Sequence, residues 1–383
     1  MVDLVPLADN MVVNIDVLKE LCSKILPAVD TSEHSILTDT LELVTSNGFI
    51  EINVSNSEYH VEVKMPIADD VSIDATVNAS LFLKLISQMT SETVEFSLDD
   101  NSLIVIGNGT YNIPLIYDDD KILKIPGIDI NNVTSTFNID SNILLSILNY
   151  NSKELNKPII TKPVQKFYYV DNEGCITSTS GLCINNFTLE KPIKMLLSPK
   201  VVKLFKLFDS DQTVKFTYGI DLLFDDIYQP RVRFETDNVS ITAKLPSDAS
   251  LMSQINAKAM RDATNINNPY TILVNKTSLL QTINRFMLFG SNSFIDQICD
   301  FEFNQSGFTL SNSRNKNSEE LNYMNNSELS ENFEYKASLN LIDLKNIVDA
   351  CNDSVVQFRF GSGTSFILKQ GSVDNVIFEL SDD

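Results

Sequence analysis

One arrangement occurs three times in this chain: an apolar segment of helical period, a short polar turn, then a strand that carries a phenylalanine at its fourth position. The three strands open Thr93-Val94-Glu95-Phe96, Thr213-Val214-Lys215-Phe216 and Val355-Val356-Gln357-Phe358. A lysine precedes each phenylalanine at nearly constant distance: Lys84 by 12 residues, Lys203 by 13 and Lys345 by 13. The segments LFLKLISQM (81–89), VVKLFKLF (201–208) and LIDLKNIVDA (341–350) therefore read as versions of one helix.

A second repeated unit lies upstream of each. Val13-Asn14-Ile15-Asp16 leads into VLKELCSKIL, Phe137-Asn138-Ile139-Asp140 into SNILLSILNY, and Ile272-Leu273-Val274-Asn275 into KTSLLQTINRF. In each a short strand ends at Asp or Asn, whose side-chain oxygen can accept from the first free amides of a helix. The repeat is strand, helix, strands, helix, strands, with a period of roughly 120 to 140 residues. That is two lobes per repeat and six per chain, with a period too long for a solenoid, whose units run about 20 to 50 residues.

A length of 383 residues fits this division, since one core seldom supports so long a chain. The expected fold class is α+β, three tandem domains, each of two βαβ-type lobes with antiparallel sheets outside and two helices inside. The domains are expected at 1–127, 128–250 and 251–383, with 251–268 mostly linker, and the polar stretch Ser311 to Glu331 reads as a long hairpin loop. Hairpins are expected at Asn47-Gly48 and around Gly107-Asn108-Gly109. Antiparallel lobes must pair or cover their edges, and tandem lobes can do so edge to edge across domain boundaries. One free edge then remains at each end of the chain, and two chains head to tail would close them.

Composition removes most chemistry. The five cysteines (Cys22, Cys175, Cys183, Cys299, Cys351) are scattered in mostly apolar segments, as reduced core thiols are, and the only histidines are His34 and His60. Zinc and histidine catalysis have little to work with, and no metal or cofactor is expected. Gly107-Asn108-Gly109 and Gly361-Ser362-Gly363 lack the context of a phosphate loop, and Asp118-Asp119-Asp120 reads as an exposed acidic turn. No nucleophile–base pair stands out, so the chain is not read as an enzyme. Without a long apolar run or a basic leader at its N-terminus, it is expected in the cytoplasm, nucleoid-associated or in a host's cytoplasm if viral.

The net charge of −22 argues on its face against a polyanionic partner. Its distribution changes that expectation. Six expected helices (16–26, 79–90, 140–157, 198–209, 275–289 and 340–351) together carry +4, leaving about −26 on the other 303 residues. A surface lined by these helices could face phosphate while the rest repels it.

With the repeats in place, the chain resembles the bacterial DNA polymerase III beta subunit, the sliding clamp. The likeness spans essentially the whole chain and is most recognisable at Asn78 to Ile116, Leu197 to Leu245 and Leu339 to Leu380. It implies a DNA polymerase processivity factor: a homodimeric ring whose helices line a hole for duplex DNA, loaded by a clamp loader and serving polymerase and other partners. The implied DNA-facing residues are Lys19, Lys24, Lys84, Lys153, Lys157, Lys200, Lys203, Lys206, Lys276, Arg285 and Lys345. The resemblance also implies a pocket for a short apolar peptide at Thr179, Gly181, Ile184, Leu251, Ile377, Phe378 and Leu380, and a dimer contact at Tyr111, Leu288 and Phe289. Two departures bear on the pocket. Leu182-Cys183 stands where the family commonly has a basic pair, and the tail is Glu379-Leu380-Ser381-Asp382-Asp383 instead of apolar and proline-containing. An acidic rim of that kind favours a peptide with Lys or Arg beside its apolar anchor. The alternatives are a structural or assembly repeat protein without clamp activity, and a two-domain trimeric clamp, against which the third copy of the pattern counts.

Overall fold

In the computed structural model, residues 11–380 are described apart from 33–34, 47, 69–71, 153–161, 179–180, 225–226, 291–296, 313–315, 325–328 and 352. The chain forms two compact units, Met1–Asn142 with Lys203–Ser247, and Ile143–Val202 with Asp248–Asp383. These units divide the segment expected as the second domain.

Each unit contains one four-stranded and one eight-stranded sheet, antiparallel throughout. In the first unit the four-stranded sheet runs Met11–Asn14, Thr93–Leu98, Ser102–Ile106, Thr110–Pro114. Its eight-stranded sheet runs Val133–Asp140, Thr213–Phe224, Ile227–Glu235, Val239–Lys244, Tyr59–Pro66, Phe49–Ser55, Thr40–Ser46, Asp74–Asn78. The seam is the pairing of Val239–Lys244 with Tyr59–Pro66, with Val239 opposite Val63 and Ile241 opposite Val61. Two sequence repeats thus share one hydrogen-bonded sheet.

The second unit repeats the scheme. Its eight strands run Lys194–Leu197, Tyr168–Asp171, Gly174–Ser178, Leu182–Asn186, Val373–Phe378, Ser365–Gln370, Val355–Phe360, Tyr270–Asn275, and the seam pairs Leu182 with Val376 and Ile184 with Asp374. The four-stranded sheet runs Asn317–Asn322, Gly307–Asn312, Ile298–Phe303, Tyr335–Asn340. Strand Asn317–Asn322 lies inside the stretch expected as a loop. Leu321 is buried opposite Phe308, and that contact holds the strand to the sheet despite its polar flanks.

The helices are α1 (Ile15–Ile25), α2 (Ala79–Gln88), α3 (Ser141–Ser146, continued by a π turn Ile147–Asn151), α4 (Pro199–Lys203, continued by a 3-10 turn Leu204–Leu207), α5 (Ala249–Ser253), α6 (Ala257–Asp262), α7 (Lys276–Met287) and α8 (Leu341–Ala350). The strand-to-helix junctions are capped as the pattern requires. Asn78, Asn275 and Asn340 accept from amides of α2, α7 and α8, and Asp140 accepts from Asn142 in α3. In the first junction the cap is Asn14, two residues before the aspartate, which leaves Asp16 in the first turn of α1 facing the positive end of the helix. The segment expected to be mostly linker holds α5 and α6.

The phenylalanine of each repeated strand is a core residue: Phe96 and Phe216 are fully buried and Phe358 is 3% exposed. Phe216 lies against Phe137 and Phe234, and Phe234 against Phe205. The last repeat packs a denser cluster in which Phe360 and Phe366 stack at 5.1 Å. Hairpin Thr40–Ser46/Phe49–Ser55 has Gly48 in its connection at φ 76°, a conformation that only glycine adopts without cost; Asn47, expected beside it, lies outside the described residues.

His60, on Tyr59–Pro66, is held mostly neutral: burial, and then Arg233, lower its pKa to about 4, against a smaller opposing effect of Asp129. Between pH 6.5 and about 4 the unfolded chain binds a proton that the folded chain refuses, so His60 lowers stability as the pH falls. The difference in denaturation midpoint between the wild type and His60→Asn is expected to move in favour of the variant on going from pH 7 to pH 4.5. A difference independent of pH would show that His60 titrates alike in both states.

Candidate nucleic-acid interface and partner groove

The cations expected to face DNA divide by what they touch. Lys24 pairs with Glu20 at 3.2 Å and Asp209 at 3.5 Å. Lys276 donates to the carbonyl of Cys351, tying the start of α7 to the end of α8. Arg285 is bound to Glu319, with Nε to Oε2 at 3.0 Å, and Thr282 donates to the same carboxylate at 2.6 Å, so Glu319 sits below the usual carboxylate range. That group fastens α7 to the edge strand Asn317–Asn322.

The remaining set includes the three lysines of the repeat. Lys84 lies on the exposed face of α2, opposite the buried Phe82, Leu83 and Ile86. Lys203 and Lys206 are exposed at the end of α4 and in its 3-10 continuation, and Lys345 is half-buried on α8. Lys19 is half-buried on α1. None of Lys19, Lys84, Lys203, Lys206 or Lys345 forms an ion pair with a described residue. Their charge is not cancelled by a neighbouring carboxylate and is open to a counter-anion in solvent. Lys200 is half-buried with contacts of its own, and Lys153 and Lys157 lie outside the described residues.

Of the residues expected at the peptide pocket, Ile184, Ile377 and Phe378 lie on one sheet of the second unit but not on one face of it. Ile184 and Leu182 point to a cluster with Val164, Tyr169, Ile176, Leu196, Ile367 and Val376, on which Leu251 also packs. Ile377, the next residue after Val376, belongs to the opposite face and the phenylalanine-rich core. Phe378 returns to the face of Val376 by strand alternation and is 43% exposed. Leu380 bridges to Ser338, Gly181 is buried, and Thr179 is outside the described residues. The structure therefore gathers Ile184 and Leu251, and adds Val164, Tyr169, Ile176 and Val376, which the sequence does not single out. Alternation along Val373–Phe378 cannot pick Val376, because Val376 and Ile377 are both buried, one on each covered face.

A cavity of about 90 Å³ opens onto this cluster, lined among others by Val164, Phe167, Tyr169, Ile176, Ile255 and Met260. The charged residue among its lining is Lys162. Glu379, one of the three acids of the expected rim, accepts from the Tyr335 hydroxyl at 2.6 and 2.8 Å, and residues 381–383 are outside the described set. The described polar residues lining the cavity include Lys162, Gln165 and Gln254.

Of the residues expected at the dimer contact, Tyr111 lies on an edge strand, whereas Leu288 and Phe289 follow the last turn of α7. Thr110–Pro114 borders the four-stranded sheet of the first unit and exposes Tyr111. Asn317–Asn322 borders the four-stranded sheet of the second unit, and at the end of α7 Leu288 and Phe289 are 81% and 61% exposed. Leucine and phenylalanine side by side at such exposure are uncommon on a monomer's surface.

No protein-family model and no curated protein sequence matches the chain. Solved structures do. A DNA polymerase III subunit beta sliding clamp from Pseudomonas aeruginosa bound to griselimycin superposes with a TM-score of 0.76 at 11% identity, over 97% of this chain and 99% of that one. The DNA polymerase III beta subunit of Thermotoga maritima gives 0.74 at 15% identity, over 98% and 100%. A Helicobacter pylori beta clamp bound to a DNA ligase peptide gives 0.71 at 13%, over 97% and 100%. From end to end, the chain has the sliding-clamp fold of the bacterial DNA polymerase III beta subunits.

Proposed function

We propose that this chain is a sliding clamp: two copies close into a ring on duplex DNA and tether a polymerase and other replication partners to it, after opening by a clamp loader. The carrying observation is the rule by which its lobes pair. In every repeat the strand before the first helix pairs with the strand after the second, and two more strands follow, ending at Thr110–Pro114, Val239–Lys244 or Val373–Phe378. The other lobe of each repeat ends at Tyr59–Pro66, Leu182–Asn186 or Asn317–Asn322. Two of these ends are joined to two of the first kind, and Thr110–Pro114 and Asn317–Asn322 are left without a partner strand. The same antiparallel seam, made between copies, uses both and produces a closed, two-fold assembly of three domains per chain.

Such a role needs no catalytic group. Non-specific attraction to phosphate from Lys84, Lys203 and Lys345 keeps the duplex inside while topology retains it, and the absence of base readout permits sliding. The groove at Ile184 and Val376 takes an apolar peptide from the partner.

Two measurements test this. Light scattering after size exclusion is expected to give twice the 42.9 kDa chain mass for the wild type and a single chain for Leu288→Asp. A monomeric wild type at micromolar concentration would remove the ring. On circular primed DNA, Lys84, Lys203 and Lys345 changed together to Glu should shorten residence at least tenfold with an unchanged thermal midpoint, because six charges are reversed in the dimer. Equal residence would refute the assignment of the helices to the DNA-facing wall.

A further inference from the structure

The partner groove is covered by the chain's own connecting segment. Helices α5 and α6 bury none of their residues fully, yet Leu251, Met252, Ile255, Ala257, Met260 and Ala263 all rest on the cluster around Ile184 and Val376. Each helix is capped from within the segment: Asp248 accepts from the N–H of Ser250 at 2.8 Å and Asn256 from the N–H of Ala259 at 3.1 Å.

One polar contact fastens this segment. The guanidinium of Arg261 meets Asp171 with both ends, at 3.0 and 2.6 Å, and Glu173 at 3.2 Å. Asp171 is 5% exposed, on the strand that also carries Tyr169. Nε of Arg261 has no partner, so the fork is engaged on one side only.

Volume decides what must move. The space left under the segment is about 90 Å³, whereas a site that takes up a ligand of several side chains runs to about 300 Å³ or more. The sheet wall is held by ladder hydrogen bonds on both sides of Leu182–Asn186. The covering wall is held by half-buried side chains and the Arg261 fork, and so is the one that yields.

On the reading of this site as a peptide groove, we propose that residues 249–265 form a displaceable lid, latched by Arg261 on Asp171, and that a partner binds by taking the lid's place. The chemistry of the lid then specifies the partner. It is a short segment with bulky aliphatic residues spaced as Leu251, Met252, Ile255 and Met260 are, and with acceptors for Lys162 at the mouth. The latch sets the apparent affinity, since only the open fraction of clamps accepts the peptide.

The test uses the full chain with Arg261→Ala and Asp171→Asn combined, which removes the latch without leaving a buried lone carboxylate. The carboxamide so introduced retains an oxygen to accept from the backbone N–H of Glu173, as Asp171 does at 2.9 Å. Met260→Ser, which keeps the latch and weakens the apolar contact, serves as the second variant. Hydrogen exchange of amides in 249–262 is expected to speed up at least tenfold in the first variant and severalfold in the second, with Tyr168–Asp171 and Gly174–Ser178 unchanged. A fluorescein-labelled synthetic peptide of residues 248–262, added in trans, is expected to bind the first variant about tenfold more tightly than the wild type. Lid amides that exchange only together with the strands, and at the same rate in both variants, would overturn the lid. Faster exchange without any gain in peptide binding would overturn the groove that the lid covers and leave the opening itself established.

Discussion

Backbone pairing between successive repeats is the interaction on which the rest depends. An antiparallel lobe of four strands ends in a row of unpaired amides and carbonyls, and each seam removes two such rows at once. At Ile241 opposite Val61, and at Leu182 opposite Val376, the seam is also a run of apolar contacts, so hydrogen bonding and side-chain burial fix the same register. The helices start elsewhere: Asn14, Asn78, Asn275 and Asn340 end edge strands that lie away from the two seams.

Charge is arranged around that frame. Several helix cations are occupied with structural work: Lys24 with Glu20 and Asp209, Arg285 with Glu319 and Thr282, Lys276 with a helix-ending carbonyl. The lysines of the threefold pattern are left out of these pairs. An exposed lysine without a carboxylate neighbour is the form in which a strongly acidic protein can still attract phosphate, because nearby pairing would cancel the field at short range and screening would remove it at long range.

The repeats and the helices are legible in the sequence because they rest on local chemistry; of the expected caps, Asp140 and Asn275 stand where the pattern puts them, whereas Asn14 takes the place of Asp16. The candidate sites are legible only in part. The partner of Arg285 lies 34 residues away on a strand hidden in a polar stretch, so nothing near Arg285 announces Glu319. Ile377, expected beside Ile184, lies on the opposite face of the sheet from Val376, since a strand buried on both sides has no polar alternation to set the phase. The segment 251–268 reads as linker because its helices are too short to declare a period, although six of its apolar residues converge on one cluster.

The division of the chain into two compact units has a consequence for how the protein comes apart. The middle repeat gives one lobe to each eight-stranded sheet, so it contains no seam of its own and its two lobes belong to different compact units. A fragment cut at the repeat boundaries would bare Val239–Lys244 and Leu182–Asn186 together, two apolar edges in an otherwise well-formed domain. The smallest piece able to stand alone is therefore not the unit that was duplicated, and duplication and folding count this molecule differently.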